Sequence, residues 1–281
     1  MRRWKTVSIV GVGLIGASIG QAVLRRGLAD EVIGIARRQT TLRAARRVGA
    51  VSHTTIDLDR GVAQAELIIV CTPVATIPDL VRQIAQACPE GALISDVGST
   101  KSRIVAALDD GLPRGCRFLG SHPLAGSEKT GPSYSDANLF EGRVTIITPT
   151  RNTRAEDFDA MEDFWTGLGS VVIRMSPDEH DKALAMTSHF PHLMAALLAG
   201  ILPEPWFRLT GTGFLDTTRI AAGDVEMWKQ ICMQNRENLV NTCQTFADEL
   251  GRLARALAAG DENTLEQILL RGKKNRDALG S

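Results

Sequence analysis

Three glycines constrain the architecture of this chain more than any other feature. Gly11, Gly13 and Gly16 follow an apolar, β-branched run, Thr6-Val7-Ser8-Ile9-Val10, and open an apolar helix from Ala17 to about Arg26. A second apolar run, Glu31-Val32-Ile33-Gly34-Ile35-Ala36, closes a strand–helix–strand unit. In that setting each glycine has its own duty: Gly11 permits the tight turn, Gly13 lets a pyrophosphate approach the backbone, and Gly16 lets the helix lie close on the strand. The N–H groups at the helix start, from Leu14 and Ile15 onward, then face the phosphates, where the helix dipole favours negative charge. The pattern predicts a dinucleotide site on a Rossmann-type sheet.

The end of the second strand bears on which dinucleotide. An acidic residue there usually binds the 2′-hydroxyl of NAD, but here Ala36 is followed by Arg37, Arg38, Gln39, Thr40 and Thr41. A carboxylate would repel a 2′-phosphate, whereas guanidinium groups pair with it bidentately. NADP is therefore the expected cofactor, with NAD possible, since two arginines on a loop can also be simply solvated.

Further buried runs follow at 66–73, 92–97, 117–120, 142–148 and 171–175, alternating with helical stretches near 77–88, 101–109 and 154–168. Strands alternating with helices predict a doubly wound parallel sheet. Ligands on such sheets sit at the carboxyl ends of the strands. That gathers Cys71-Thr72-Pro73, Gly98-Ser99-Thr100-Lys101 and Ser121-His122-Pro123 around one crevice. Pro123 restrains the residue before it to an extended conformation, so the His122 ring at this strand end is aimed rather than free. Histidine titrates nearest neutrality, which suits a proton acceptor, although a strand-end histidine satisfied by backbone fits the same letters. Ser99 is either the cap of the next helix or a hydrogen-bonding partner of His122 or of a substrate hydroxyl.

Ser176-Pro177-Asp178-Glu179 reads as a helix start with a capping box. Strand signals cease there, which sets the expected domains at 1–175, dinucleotide-binding, and 176–281, helical. His189 and His192 are three apart and share a helical face, with Pro191 expected to kink the helix between them. With His180 upstream they could suggest a metal, but no cysteine pair or H-E-x-x-H spacing supports one, and no metal is expected. Polar substrate contacts or buried structural roles remain for the pair. Arg219 is suited to forking onto a carboxylate and Asp216 to orienting it, or the two form a surface pair. From Asp224 to about Gly260 an almost unbroken helix is expected, roughly 50 Å long at about 1.5 Å per residue. Its apolar positions, among them Trp228, Ile231, Leu239, Phe246, Leu250 and Leu257, call for a partner, most simply a second copy of the chain.

Composition excludes other classes. Basic and acidic residues balance at 32 each, so no global field argues for nucleic acid or a membrane surface. No apolar stretch is long enough to span a bilayer, and the chain enters its first strand without a signal region. Five cysteines without a CxxC pair read as reduced thiols of a cytoplasmic protein.

Taken together, these segments resemble the prephenate/arogenate dehydrogenase family of tyrosine biosynthesis: GVGLIG at 11–16, the strand end at 71–74, SDVGSTK at 95–101, GSHPLAGSEKTG at 120–131, NLFEGRVTIITPT at 138–150, SHFPH at 188–192 and GFLDTTRIA at 213–221 before Trp228. The resemblance runs nearly end to end. The G-x-x-x-K helix of β-hydroxyacid dehydrogenases is not evident. The resemblance to the prephenate/arogenate dehydrogenases implies oxidative decarboxylation of prephenate, or of arogenate, in a homodimer joined through the C-terminal helices. By resemblance His122 is the catalytic base, Ser99 touches the ring hydroxyl and nicotinamide, and Arg219 binds a substrate carboxylate. His189 and His192 lie near the substrate, and Glu128 stands where relatives place a gating acid. Leu215 departs from the family, which usually carries lysine or arginine there. Against this reading stand a catalytically silent dinucleotide-sensing module, which would have no use for His122, Ser99 and Arg219 together, and an unrelated reductase of small hydroxy or imino acids.

Overall fold

The first strand, β1 (Trp4–Val10), is buried at every residue but Lys5, as expected of a central strand covered by helices on both faces. In the computed structural model, residues 2–127 and 129–280 are described; Glu128 lies outside them. The chain continues through α1 (Leu14–Arg25), β2 (Ala29–Ile35), α2 (Gln39–Arg47), β3 (His53–Thr55), α3 (Leu58–Val62), β4 (Leu67–Val70), α4 (Ile77–Ala87), β5 (Leu93–Asp96) and α5 (Ser102–Ala106). It then forms β6 (Arg117–Pro123), β7 (Val144–Thr148), α6 (Ala155–Gly167) and β8 (Val171–Arg174). The eight strands lie in the order β3-β2-β1-β4-β5-β6-β7-β8. One apolar cluster holds Trp4, Ile9, Leu67, Ile69 and Leu93; a second holds Val10, Ile68, Val70, Ile84 and Ile94, so alternate residues of the same strands serve opposite faces.

Two expectations about the sheet need correction. It is not wholly parallel, because β6 and β7 pair antiparallel. Nor does β6 end at Gly120. Its first residues pair parallel with β5, while Gly120, Ser121, His122 and Pro123 pair with Thr148, Ile147, Ile146 and Thr145. His122 therefore stands inside a paired strand, 8% exposed, rather than beyond the end of one. The segment α2-β3-α3 was not anticipated; α2 buries only Leu42 and Ala45, and β3 has three residues.

After β8, the capping box at Ser176 forms: Ser176 Oγ accepts from Glu179 N at 3.2 Å, and Glu179 Oε2 accepts from Ser176 N at 3.0 Å. It opens α7 (Pro177–Leu184). A π turn (Ala185–His189) then leads into α8 (Phe190–Gly200), α9 (Thr212–Thr218), α10 (Val225–Gln234), α11 (Arg236–Ala259) and α12 (Glu262–Ala278). Instead of a kink at Pro191, the helix widens in the turn before it, so the missing N–H of the proline falls at the start of α8.

The helix expected to run from Asp224 to Gly260 is broken at Asn235 (φ −106°, ψ 25°). The break divides the apolar stripe. Trp228 and Ile231 on α10 pack on the sheet domain, whereas Phe246, Leu250 and Leu257 on α11 stay exposed on the single chain. The uninterrupted rod is α11, about 36 Å. Among the described residues no helix is long and apolar enough to cross a membrane.

Candidate active site

The glycine turn has the geometry that its motif predicts. Gly11 has φ +100°, and a Cβ there would collide with the Cys71 carbonyl; a Cβ on Gly16 would collide with the Gly11 carbonyl. A Cβ on Gly13 would meet nothing within 4 Å, which leaves open the approach that a pyrophosphate needs. Gly13 is the N-cap of α1 and supplies no side-chain cap, so the N–H groups opening the helix remain available to an anion. Leu14 is buried and Ile15 half-buried beneath the turn. Cys71 and Thr72 are half-buried and Pro73 is exposed at the end of the neighbouring strand β4. Burial, with Asp96 nearby, pushes the Cys71 thiol well up, so it stays protonated. Arg37 and Arg38 are exposed beyond β2, with no acidic residue from 36 to 41. These residues fit a nicotinamide dinucleotide.

Beside this turn, β5 ends in a buried ion pair. Lys101 Nζ donates to Asp96 Oδ2 at 2.6 Å with both side chains fully buried, and Gly98 N donates to the same oxygen at 2.8 Å. Asp96 Oδ1 accepts from Ser121 N at 3.3 Å, tying β5 to the residue before His122. Gly120 must lack a side chain, because a Cβ would press on Thr148 Oγ1 at 2.6 Å and on Lys101 Cδ at 3.1 Å. Ser99, half-buried in the same loop, does not cap the next helix, which starts at Ser102 with Lys101 as its N-cap.

The cap comes instead from the helical half of the chain. Asp181 Oδ1 accepts from Lys101 N at 2.7 Å, and Oδ2 from Ser102 N at 3.0 Å. Asp181 Oδ1 also lies 2.8 Å from His180 Nδ1, and His180 Nε2 lies 2.8 Å from His122 Nδ1. A carboxylate only accepts, so His180 Nδ1 donates to it. The other nitrogen of neutral His180 is then bare and accepts from His122 Nδ1. The lone pair of His122 is left on Nε2. Burial first, then the neighbouring His180, Lys101 and His189, hold His122 well below the usual histidine value. Burial would raise Asp181, but His180 and the two backbone N–H groups outweigh it and keep the carboxyl ionised. The result is a neutral imidazole held in one orientation, with a bare Nε2.

His189 and His192 do share a face, and both meet Trp228: His192 stacks on the indole with centroids 3.6 Å apart, and His189 stands edge-on at 6.2 Å. Among the described residues each has one buried ring nitrogen without a hydrogen-bond partner, Nε2 of His189 and Nδ1 of His192. Burial pushes His189 down to about 4 and lowers His192 as well. Arg219 opens the turn after α9, and Asp216 lies on α9; both are exposed on the single chain, as is Leu215. Gly223, just beyond, packs against Trp228 and His192. The fold thus gathers His122, Ser99, His189 and the dinucleotide turn, while Arg219 and Asp216 sit at the outer edge. Reading the sequence did not single out His180 as a partner of His122, nor Asp181, Asp96, Lys101 or Asn235. The adjacent His180-Asp181 just inside a capped helix was the one local signal.

A glycine-turn dinucleotide fold with an oriented, unprotonated histidine at its strand ends defines a nicotinamide-dependent oxidoreductase. Residues 19–174 match the family described as prephenate dehydrogenase, nucleotide-binding domain, and residues 176–271 match prephenate dehydrogenase, dimerization domain. The chain is 31% identical to a cyclohexadienyl dehydrogenase of Zymomonas mobilis over 99% of its own length and 97% of that protein's. It is 31% identical to a prephenate dehydrogenase of Bacillus subtilis, over 98% of this chain and 76% of that one. The structure of prephenate dehydrogenase from Aquifex aeolicus in complex with hydroxyphenyl propionate and NAD+ superposes with a TM-score of 0.90 at 30% identity, covering 98% of both chains. Synechocystis arogenate dehydrogenase follows at 0.81 and 26%, covering 98% and 99%. The chain belongs to the prephenate dehydrogenase family.

Proposed function

We propose that this enzyme oxidatively decarboxylates prephenate to 4-hydroxyphenylpyruvate, a step of tyrosine biosynthesis, with NADP+ as the preferred hydride acceptor. The observation that carries the proposal is the Asp181–His180–His122 chain, which leaves a bare Nε2 on a histidine beside the dinucleotide turn. Bound at the turn through Gly11, Gly13 and Gly16, the cofactor supplies a carbon that accepts hydride. His122 Nε2 takes the proton of the ring hydroxyl as hydride leaves the carbon that bears it. The bond to the ring carboxylate then breaks, its electron pair aromatises the ring, and the proton returns to the phenol oxygen. Aromatisation supplies the thermodynamic drive, so the protein's task is alignment and a base that is unprotonated beforehand.

Ser99 donates toward the ring hydroxyl and nicotinamide, and Arg219, oriented by Asp216, binds a substrate carboxylate. His189 and His192 line the same pocket. Arg37 and Arg38 take a 2′-phosphate. A homodimer formed through the C-terminal helices covers the exposed apolar face of α11 and closes the crevice from its outer edge. The boundary between the two domains falls at Ser176. The five free thiols fit a cytoplasmic protein.

Reduction of each nicotinamide cofactor, followed with prephenate and separately with arogenate, tests the reading. Turnover of prephenate with NADP+ in excess of every other pairing is expected. Turnover of arogenate alone would reassign the substrate, and turnover of neither would overturn the proposal.

A further inference from the structure

The break between α10 and α11 turns two polar side chains toward the crevice. Gln234 Oε1 accepts from Thr100 Oγ1 at 2.7 Å, holding α10 to the loop that carries Ser99. Asn235, 3% exposed, reaches the other way. Its Nδ2 lies 2.7 Å from the Asp181 carbonyl oxygen and 3.0 Å from His189 Nδ1, and its Oδ1 accepts from Asn238 Nδ2 at 2.9 Å. A carbonyl only accepts, so the amide nitrogen must face Asp181, and its second hydrogen then faces His189. Nδ1 of His189 is therefore the acceptor, and in the neutral ring the proton sits on Nε2. Among the described residues that N–H is buried with no well-aligned hydrogen-bond acceptor, although the Ser99 backbone stands close enough to the ring to interact with it. Buried donors without an acceptor are uncommon in folded proteins, and in a ligand crevice such a donor points to a ligand oxygen.

We infer that Asn235 is a positioning residue: it fixes His189 as an Nε2–H donor for an oxygen of the bound substrate. It acts through His189 and touches no reacting atom. The chain Asn238–Asn235–His189 orients this ring as Asp181–His180 orients His122, and with the opposite outcome. One imidazole is left as an acceptor and the other as a donor.

The experiment reads the tautomer directly. With only five histidines in the chain, imidazole 15N correlation spectra of the full-length protein resolve each ring, and His189 is assigned by single-site replacement. The expected spectrum has Nδ1 of His189 unprotonated and Nε2 protonated; the reverse pattern in the unsubstituted protein overturns the inference whether or not any variant folds. Asn235→Asp presents a carboxylate that cannot donate, so the tautomer should reverse. With it kcat/KM should fall by about 10-fold or more, mainly through KM, while dinucleotide Kd stays within about twofold. A purely structural Asn235 predicts a lowered Tm with tautomer and KM unchanged, which also overturns it. The kinetic arm rests on the proposed dehydrogenase reaction and the tautomer arm does not, so failure of the one is distinguishable from failure of the other.

Discussion

His122 Nδ1 lies 2.8 Å from His180 Nε2, the two rings meeting edge-on with centroids 5.1 Å apart. Because Asp181 binds the far nitrogen of His180 and caps α5 at the same time, one carboxylate from the helical half both orients His122 through His180 and docks against the sheet domain. Removing the middle of this chain should leave His122 free to adopt the wrong tautomer. His180→Gln is expected to lower kcat by about 10²-fold, near the loss expected for His122→Asn, with dinucleotide affinity almost unchanged in both. The double variant should lose little more than either single one, since the residues act as a unit. A His180→Gln enzyme with unaltered kcat would show that the relay has no part in the chemistry.

Burial lowers His122, His180, His189 and His192 below the ordinary histidine value, with His189 at about 4. Each is neutral in the folded protein and binds a proton more readily once unfolded. Between the ordinary value, near 6.5, and the depressed folded one, the unfolded chain holds more protons, so stability is full above about 6.5 and is lost as pH falls. His189 alone accounts for about 3 kcal/mol across that window. Urea midpoints should therefore fall between pH 7.5 and pH 5, and His189→Gln should flatten the slope. The kcat/KM profile should likewise stay level through neutrality and bend down only on the acid side, below the ordinary histidine range; a bend near pH 7.5 would mean that His122 is not held neutral.

Local chemistry is what the sequence made legible. Gly11, Gly13 and Gly16 each act on neighbours within a few residues or across one strand pair, and Pro123 fixes the residue beside it. The capping box at Ser176 is likewise complete within four positions. Partnerships across long separations left no such trace: Lys101 N with Asp181 and Asn235 with Asp181 join residues 80 and 54 positions apart. The helix break at Asn235 was hidden because apolar positions continue with helical spacing on both sides, although α10 packs on the sheet and α11 turns away from it. Arg117 to Gly120 was read as the whole strand because its partner changes there from β5 to β7, and a change of partner has no compositional signature.

The proposed preference for NADP+ rests on a position rather than on a single side chain. Ala36 follows β2 where an acidic residue would meet a 2′-hydroxyl, and Arg37 and Arg38 stand exposed next to it. Ala36→Asp should move the ratio of kcat/KM for NADP+ over NAD+ toward NAD+ by about 10-fold or more, through repulsion of the 2′-phosphate and a new partner for the hydroxyl. Arg37→Ala with Arg38→Ala should weaken NADP+ alone, an effect that shrinks as salt is raised. An unchanged ratio in both would remove the arginines from the cofactor site.

The stack of His192 on Trp228 depends on a residue that has no side chain. A Cβ at Gly223 would stand 2.5 Å from Trp228 Nε1, 2.9 Å from its Cδ1 and 3.1 Å from His192 Cε1, so the indole must move and the imidazole stacked on it must give as well. On the proposed reading both rings stand in the wall of the substrate pocket and apart from the reacting groups, so their displacement should weaken ground-state binding more than chemistry. Gly223→Ala is expected to raise KM for the dienol by about 10-fold with kcat altered about twofold at most, and to lower Tm by a few degrees. Gly272→Ala serves as the contrast, because its Cβ would meet nothing within 4 Å and the residue lies inside α12. There the substitution should stabilise by up to about 1 kcal/mol through helix propensity, with KM unmoved. Equal kinetic effects from the two substitutions would mean that the stacked pair plays no part in holding the substrate.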